Sequence, residues 1–358
     1  MIRVVVVDDS AFMRKAISSM LEHDPEIEVV GCARDGREGL TLIRSLDPDV
    51  VTMDLEMPVM DGLTALKCIM MEMPRPVIVV SSLTEDGARE TLKALEIGAV
   101  DYLPKKVSKG SFEIVKIEDD LRAKVRAVAR RKIVFPLRPK PPVCASVLAR
   151  PAAVAGARSV VAIGVSTGGP SALQSLLPQL PGDYPACILI AQHMPRAFTG
   201  PFARRLDALS PLRVCEAEDG HPIAPGTVLV APGGTHLRVR RGLTGLVAEV
   251  GDEPLQSLFK PSVNELFGSV ADLIGHMAVG VVLTGMGSDG LDGAHRLKAA
   301  GGRLLAQSDS SCVVYGMPKA VVEAGLADAV VDLGDMPEAL LSEVGCQALL
   351  AAEVGERR

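Results

Sequence analysis

Short apolar runs alternate with amphipathic segments along most of the chain, and this alternation limits its fold more than any other feature. About the first 120 residues hold five such runs, and the segments between them repeat apolar residues at helical spacing, as between Phe12 and Leu21. Five strand–helix units in so short a stretch predict a parallel sheet with helices on both faces. The predicted strands are 2–7, 27–31, 49–53, 76–81 and 99–103.

A second unit of the same kind follows a proline-rich stretch. Residues 133–157 contain five prolines and no Asp or Glu, which favours an extended linker over a packed element. The fold class is therefore α/β with two doubly wound domains, the second mostly parallel with an added β-hairpin. We expect a first domain at 1–122, a charged helix and linker at 123–157, and a second domain at 158–350. The predicted strands of the second domain are 160–165, 186–191, 227–231, 236–240, 278–284 and 302–307.

Composition excludes several classes of protein. The net charge of −6 argues against nucleic acid as the main partner, and the absence of tryptophan argues against a base-stacking surface. No apolar run approaches the roughly 18 residues of a membrane span, so we expect no direct membrane insertion. Seven scattered cysteines without a CxxC pair are typical of free thiols in a reducing compartment, which predicts a cytoplasmic protein.

Polar side chains follow the predicted strands of the first domain. Asp8 and Asp9 end the first strand, Asp54 the third and Ser81 the fourth, and Lys105 follows the fifth. Because ligands of such sheets bind beyond the carboxyl ends of the strands, these groups should converge. Carboxylates suit Mg²⁺, beside which one aspartate could attack a phosphoryl group. Each residue alone also has a structural explanation, such as a helix cap or the start of a loop.

Ser166, His193 and Asp289 follow three predicted strands of the second domain. Ser166 lies in a G-x-S-x-G turn, where it could be a nucleophile, a structural turn residue or part of a phosphate-binding loop. A serine nucleophile needs a base, which His193 could supply, and a carboxylate that orients the imidazole. Amides near Thr167 and Met286 could stabilise an oxyanion. The competing acids and bases are Asp219, Asp252, Asp292 and His23, His221, His236, His276 and His295.

Residues 285–290 also match G-x-G-x-x-G, which is typical of dinucleotide binding. Asp289 would place a carboxylate in the turn that must receive a pyrophosphate, and too few residues follow for a nucleotide-binding sheet. A dinucleotide-dependent oxidoreductase and a non-catalytic signalling scaffold remain the alternatives to an esterase.

The first domain resembles response-regulator receiver domains across residues 1–122, through VVVDDSAFMR, VVTMDLEMPVMDG, VIVVSSLT and GAVDYLPK. The resemblance implies a flavodoxin-like fold. Two adjacent lysines follow the fifth strand, so Lys106 is an alternative to Lys105 as the residue that contacts the phosphate. The roles it implies are phosphorylation at Asp54, Mg²⁺ binding at Asp8, Asp9 and Asp54, a switch hydroxyl at Ser81, phosphate contact at Lys105 and a switch aromatic at Tyr102.

The second domain resembles the catalytic domain of chemotaxis protein-glutamate methylesterases, the CheB family. The matching segments are AIGVSTGGP, AQHMPRAFTGPFARRL, VCEAEDG, VLVAPGGTH, KPSVNELF, VGVVLTGMGSDG and AQSDSSCVVYGMPKA. The resemblance implies Ser166 as nucleophile, His193 as base and Asp289 as orienting acid, with Thr167 and the Met286 backbone in support.

The same resemblance implies hydrolysis of glutamate methyl esters on methyl-accepting chemoreceptors, deamidation of receptor glutamines, and no cofactor for ester hydrolysis. It further implies a chemotaxis histidine kinase as phosphodonor and recruitment to receptor arrays. The chain departs from the family at Val165, where alanine is common, and at Asn264, where aspartate is frequent. We expect neither residue to contact the triad, although Asn264 could alter substrate contacts.

Overall fold

The computed structural model describes residues 1–105, 111–129 and 159–345. The chain divides into two compact units, Met1–Arg138 and Pro139–Arg358. The predicted linker at 133–157 and the alternative phosphate contact Lys106 lie outside the described residues.

The N-terminal unit is a five-stranded parallel sheet in the order β2-β1-β3-β4-β5. The five strands predicted from the apolar runs are thus confirmed, each to within a few residues. The elements in chain order are β1 (Ile2–Val7), α1 (Ala11–Glu22), β2 (Ile27–Ala33), α2 (Gly36–Leu46), β3 (Val50–Asp54), α3 (Gly62–Glu72), β4 (Val77–Ser81), α4 (Glu85–Ile97), β5 (Asp101–Pro104) and α5 (Ser111–Ala129).

The inner strands of this sheet are buried on both faces, which explains their continuous apolar sequences. Every residue of β3 and β4 is buried, and so are Val4 to Val7 of β1. Helix starts are fixed by side-chain caps, as where Asp61 Oδ1 accepts a hydrogen bond from the Thr64 N–H at 2.7 Å. The chain leaves β1 for β2 on one side and reaches β3 on the other, so β1 and β3 flank the crevice in which such sheets bind ligands.

The C-terminal unit contains a seven-stranded sheet in the order β14-β13-β12-β6-β7-β9-β8, and every pairing in it is parallel. Its elements are β6 (Val160–Val165), α6 (Gly169–Leu176), β7 (Cys187–Gln192), α7 (Arg196–Leu209), β8 (Arg213–Glu216), β9 (Thr227–Val230), β10 (His236–Arg241), β11 (Leu246–Gly251), α8 (Val263–Leu273), β12 (Ala278–Val282), α9 (Leu291–Ala299), β13 (Arg303–Gln307), α10 (Met317–Glu323), β14 (Ala329–Val331) and α11 (Met336–Glu343).

The predicted fold class is confirmed, including the added hairpin, which is the separate antiparallel pair β10–β11. Three strands escaped prediction. Two of them, β8 and β14, are short strands at the two edges of the sheet, and the third, β11, is the second strand of the hairpin. Strand β6 lies between β7 and β12, so the switch point of this sheet is beside β6.

The expectations about membrane-spanning segments and about the cysteines can be compared with the structure. In the described ranges no helix combines the length and the apolar character that a bilayer crossing requires. The five cysteines within these ranges are free thiols, and Cys144 and Cys346 lie outside them.

Helix α8 lies very close to β6, and a glycine makes this approach possible. A Cβ atom on Gly164 would lie only 2.2 Å from Cγ1 of Val263, the first residue of α8. Valine has little rotational freedom in a helix, so the contact could be relieved only by moving the helix. By contrast, a Cβ on Gly251 at the end of β11 would meet only Arg238 Nη2, at 3.8 Å.

The substitution Gly164→Ala should therefore destabilise the C-terminal unit by about 1–3 kcal/mol through overpacking. The matched variant Gly251→Ala should change stability by less than about 0.5 kcal/mol. Scanning calorimetry of the full chain measures both. Equal unfolding temperatures for the two variants would contradict the close approach of α8 to β6.

Candidate active site

The carboxylates predicted to bind Mg²⁺ converge at the carboxyl edge of the N-terminal sheet. Asp8, Asp9 and Asp54 each offer an oxygen, and these oxygens lie within 4.8 Å of one another. Lys105, after β5, places Nζ 2.6 Å from Asp54 Oδ2 and 3.4 Å from Asp8 Oδ2. Its backbone N–H donates to the Ser81 carbonyl at 2.7 Å, which fixes the start of the loop after β5.

Burial and the contact between Lys105 and Asp54 together set the electrostatics of this cluster. Removal from water raises the pKa of Asp54 above its ordinary value, although the hydrogen bond and charge of Lys105 oppose the shift. The pKa of Lys105 is also raised: burial lowers it, but the hydrogen bond and charge of Asp54 outweigh that effect. The buried Asp8 Oδ2 accepts no well-formed hydrogen bond among the described residues, and its polar neighbour is Lys105 Nζ at 3.4 Å. An oxygen with spare acceptor capacity beside two more carboxylates fits a Mg²⁺ ion, which takes oxygen ligands.

The two remaining predicted residues of the N-terminal unit are buried, Ser81 at the end of β4 and Tyr102 within β5. Ser81 Oγ donates to the Gly87 carbonyl at 3.1 Å, and within the described ranges it makes no hydrogen bond to Asp54. Tyr102 is 5% exposed, and its ring lies 5.4 Å from Lys124 Nζ. Burial raises the pKa of Tyr102 well above its ordinary value, so the phenol stays protonated.

In the C-terminal unit the structure brings His193 and Asp289 together. His193 follows β7, Asp289 lies in the loop after β12, and His193 Nε2 is 2.8 Å from Asp289 Oδ2. Both side chains are nearly buried, with 10% and 4% of their surfaces exposed. An ionised carboxylate can only accept a hydrogen bond, so Nε2 carries the proton and Nδ1 has the free lone pair.

Asp289 is held by the first turn of helix α8. Its Oδ2 accepts a hydrogen bond from the Val263 N–H at 2.8 Å, and its Oδ1 accepts from Ser262 Oγ at 3.0 Å and the Asn264 N–H at 3.2 Å. Burial raises the pKa of Asp289, but the hydrogen bond and charge of His193 and the two amides outweigh it, so the net pKa is lowered. The carboxylate therefore stays ionised opposite the imidazole.

Asn264 contacts this site directly, so the expectation that it would not is wrong. Besides its amide on Asp289, its Oδ1 accepts hydrogen bonds from the N–H groups of Gly290 and Gly293, at 3.0 and 2.9 Å. The reason is that α8 begins at Val263, which directs its first turn at the loop before α9. These two amides are the groups that a dinucleotide pyrophosphate would need, and Asn264 already occupies them.

The imidazole is also fixed from one face by an aromatic ring. Phe259 stacks on His193 with ring centroids 4.2 Å apart and an interplanar angle of 5°. His193 Nδ1 is buried and has no hydrogen-bond partner within the described ranges. Stacking restricts rotation of the imidazole, and the Asp289 contact engages Nε2, so Nδ1 is the ring nitrogen left without a partner among the described residues.

Ser166 lies in the turn between β6 and α6. Gly168, with φ of 78°, begins the helix in a conformation that suits glycine. The Ser166 residue is partly exposed, and its hydroxyl makes no hydrogen bond to His193 or to any other described residue. A Cβ on Gly285 would lie 2.9 Å from Ser166 Cβ, so the loop after β12 passes directly beside the serine.

The peptide groups predicted to stabilise an oxyanion are rigidly oriented. The Ser166 carbonyl accepts hydrogen bonds from the Gly169 N–H at 2.9 Å and from Gln192 Nε2 at 3.0 Å. The Gly285 carbonyl accepts two from the start of α10, at 3.0 and 2.9 Å. Because N–H and C=O point in opposite directions in a trans peptide, the amides of Thr167 and Met286 point away from these anchors. Within the described chain, neither amide donates a hydrogen bond.

The competing carboxylates lie elsewhere. Asp219 binds Arg240 and the Val250 amide, and Asp252 and Asp292 are exposed. His236 is buried and accepts a hydrogen bond from the Ser262 N–H at 3.2 Å, so it supports the residue that contacts Asp289. Sequence reasoning missed Gln192, Phe259 and Ser262. Only Gln192 had a signal, as a polar residue at the end of a buried strand.

Comparison with known proteins identifies the family of this chain. A family model described as CheB methylesterase matches residues 161–340, and one described as response regulator receiver domain matches residues 4–115. The chain is 57% identical, over 96% of its length, to the complete protein-glutamate methylesterase/protein-glutamine glutaminase 1 of Oleidesulfovibrio alaskensis. The chain belongs to the CheB methylesterase family.

Further relatives agree with this membership. The protein-glutamate methylesterase/protein-glutamine glutaminase 2 of Nitratidesulfovibrio vulgaris is also 57% identical, over 96% of this chain and 99% of its own length. The crystal structure of the Thermotoga maritima CheB methylesterase catalytic domain covers 52% of this chain and 98% of its own, with 40% identity and a TM-score of 0.50. Both resemblances inferred from the sequence motifs are thus confirmed at the level of the family.

Replacing Asp289 by Asn should destabilise the C-terminal unit by about 1–3 kcal/mol at neutral pH, because an amide cannot accept from all of the donors around it. The folded-state pKa of Asp289 is lowered, so its stabilising effect is present above its unfolded pKa of 3.8 and is lost as pH falls through the folded value. The difference in unfolding temperature between wild type and Asp289→Asn should therefore narrow below about pH 4.

Calorimetry across this pH range measures the difference. The exposed Asp252 provides the control, since Asp252→Asn should leave the unfolding temperature nearly unchanged at each pH. A difference for Asp289→Asn that stays constant down to about pH 2 would contradict a stabilising carboxylate.

Proposed function

We propose that this chain hydrolyses glutamate methyl esters in proteins, releasing methanol, through an acyl-enzyme on Ser166. The observation that carries the proposal is His193, whose Nε2 is bound to the ionised Asp289 and whose Nδ1 is left without a partner in the described chain. The names of the relatives supply the substrate class, since they are protein-glutamate methylesterases.

The reaction uses His193 Nδ1 as both base and acid. Ser166 Oγ attacks the ester carbonyl while its proton passes to Nδ1, and Asp289 stabilises the imidazolium that forms. The amides of Thr167 and Met286 donate to the oxyanion. The C–O bond to the methoxy group then breaks, and Nδ1 returns the proton so that methanol leaves. A water molecule attacks the acyl-enzyme by the same route, which frees the glutamate carboxylate and restores Ser166.

The same acyl-enzyme would result from a glutamine side chain, with ammonia as the leaving group in place of methanol. The relatives also carry the name protein-glutamine glutaminase, which supports this second activity. No step of either reaction calls for a cofactor, because the oxyanion and the imidazolium are both stabilised by groups of the protein.

We further propose that Asp54 accepts a phosphoryl group and that this modification regulates the esterase. Asp8, Asp9 and Asp54 would hold Mg²⁺, which when bound neutralises the charge of the carboxylates and of the incoming phosphoryl group. Lys105 Nζ, now on Asp54 Oδ2, would contact the added phosphate oxygens. Ser81 and Tyr102 would then respond as the switch residues.

The partners that fit this function are methyl-accepting chemoreceptors as substrates and a chemotaxis histidine kinase as phosphodonor. The location that fits it is the cytoplasm beside receptor arrays. Family membership supports these assignments.

Ser166→Ala should abolish nearly all methanol release from a methylated chemoreceptor, because no other group forms the acyl-enzyme. Ser342→Ala removes an exposed hydroxyl on α11 and should leave the rate unchanged. Released methanol, measured by an enzyme-coupled assay, separates the two variants. Substantial turnover by Ser166→Ala would disprove the nucleophile, and no release by the wild type would favour a non-catalytic scaffold.

A small-molecule phosphodonor with Mg²⁺ should raise methanol release by the wild type and leave Asp54→Asn unresponsive. Asp86→Asn, which changes a carboxylate that is 94% exposed on α4, should respond like the wild type.

A fragment that begins near Arg158 should exceed the unphosphorylated full chain in activity, if the receiver restrains the esterase. A fragment that folds but is no more active would contradict this restraint.

A further inference from the structure

Gln192 is a buried polar side chain between the two loops that carry Ser166 and His193. It is 1% exposed and is the last residue of β7. Its Nε2 donates hydrogen bonds to the Ser166 carbonyl at 3.0 Å and to the His193 carbonyl at 3.1 Å. One side-chain amide thus holds the backbone of both residues.

The side-chain amide of Gln192 makes its hydrogen bonds just beyond the point where the backbone pairing of β6 and β7 ends. Strands β6 and β7 are paired in parallel as far as Val165 and Gln192, and the His193 N–H donates to the Val165 carbonyl at 3.1 Å. Beyond this point the chains diverge into the turn before α6 and the loop before α7. The two hydrogen bonds of Gln192 therefore replace the ladder that would otherwise hold the two loops together.

We propose that Gln192 is a positioning residue that sets the geometry between the serine nucleophile and its base, an inference that rests on the proposed function. It acts on both partners through their carbonyl groups and touches no reacting atom. By anchoring the Ser166 carbonyl it also fixes the peptide plane that presents the Thr167 N–H to the oxyanion. A single residue thereby aligns nucleophile, base and one oxyanion donor.

The surroundings of Gln192 fix the orientation of its amide. A Cβ on Gly169 would lie 2.1 Å from Gln192 Oε1, so this atom packs against the glycine at the start of α6. The opposite orientation would set Oε1 against two carbonyl oxygens, where like partial charges repel. Oε1 itself is buried and accepts no hydrogen bond from the described residues. An acceptor buried without a donor costs free energy, and the positioning of the two loops explains why glutamine is placed there nonetheless.

The variant Gln192→Met keeps the length of the side chain and removes both donors. We expect kcat for methanol release to fall by about 10- to 100-fold, because misplacement of reacting groups by about 1 Å has effects of this size. We expect KM to change by less than about threefold, since substrate binding does not use Gln192. The rate at which a fluorophosphonate probe labels Ser166 should fall by a factor similar to that of kcat.

Gln179 provides the matched control in the same unit. It is 8% exposed, and its Nε2 donates to the Ser175 carbonyl at 2.7 Å, so Gln179→Met also removes a buried amide donor. Its unfolding temperature should fall about as much as that of Gln192→Met, while its kcat and labelling rate should stay near the wild-type values. Equal losses of kcat in Gln192→Met and Gln179→Met would mean that Gln192 contributes only to the stability of the unit, and would overturn the proposal.

A second variant covers the case in which Gln192→Met does not fold. Gly169→Ala retains Gln192 but crowds its Oε1 and, at 2.5 Å, Cγ2 of Val165, the residue before Ser166. Alanine suits the first turn of a helix, so kcat and the labelling rate should again fall with KM preserved. Normal kcat in folded Gly169→Ala or Gln192→Met would overturn the inference. Failure of the proposed function can be told apart from failure of this inference, because the wild type would then release no methanol. In that case the rate at which the probe labels Ser166 still tests the role of Gln192.

Discussion

The carboxylate of Asp289 is the group around which the catalytic unit is organised. A buried charge without partners would cost several kcal/mol, and here it accepts hydrogen bonds from His193, the Ser262 hydroxyl and two amides of α8. These donors come from parts of the chain that are far apart in sequence. The site therefore exists only once β7, α8 and the loop after β12 have all reached their places.

Both units place polar residues at the carboxyl ends of parallel strands, but they balance the charge of their buried carboxylates in different ways. Each places its polar residues where the strand order reverses, beside β1 in one sheet and β6 in the other. In the N-terminal unit an ammonium, Lys105, balances the carboxylates, and it can be drawn to other anions. In the C-terminal unit His193 and the fixed amides of α8 balance the carboxylate, which suits a group that must stay ionised and stationary.

The sequence predicted the sheets and the residues at their edges because both follow from local patterns. Continuous apolar runs marked the inner strands, and the polar residues that end them include Asp54, Ser166 and His193. The edge strand β8 was missed because only one of its four residues, Val214, is buried, so the strand carries no apolar run. The hairpin strand β11 alternates only weakly in burial, so its pattern gave little signal.

Contacts between distant residues could not be read from the sequence. Nothing near Phe259 indicates that its ring covers His193, and nothing in KPSVNELF indicates that its amides hold Asp289. The choice of Asp289 over Asp219, Asp252 and Asp292 came from family resemblance, because spacing alone does not show which loop faces the imidazole. Gln192 could have been noticed as a polar strand end, but its two acceptors depend on how β6 and β7 diverge.

The first amides of α8 and of α9 are each capped by a side chain from the other segment, one an ionisable carboxylate and the other a neutral amide. Asp289, from the loop before α9, accepts from the start of α8, while Asn264 of α8 accepts from the start of α9. Asparagine has no ionisable group, so the cap on α9 is indifferent to acid, whereas the cap on α8 weakens when Asp289 takes up a proton. In acid, the half of the site that orients the imidazole would thus loosen first, while the start of α9 keeps its anchor.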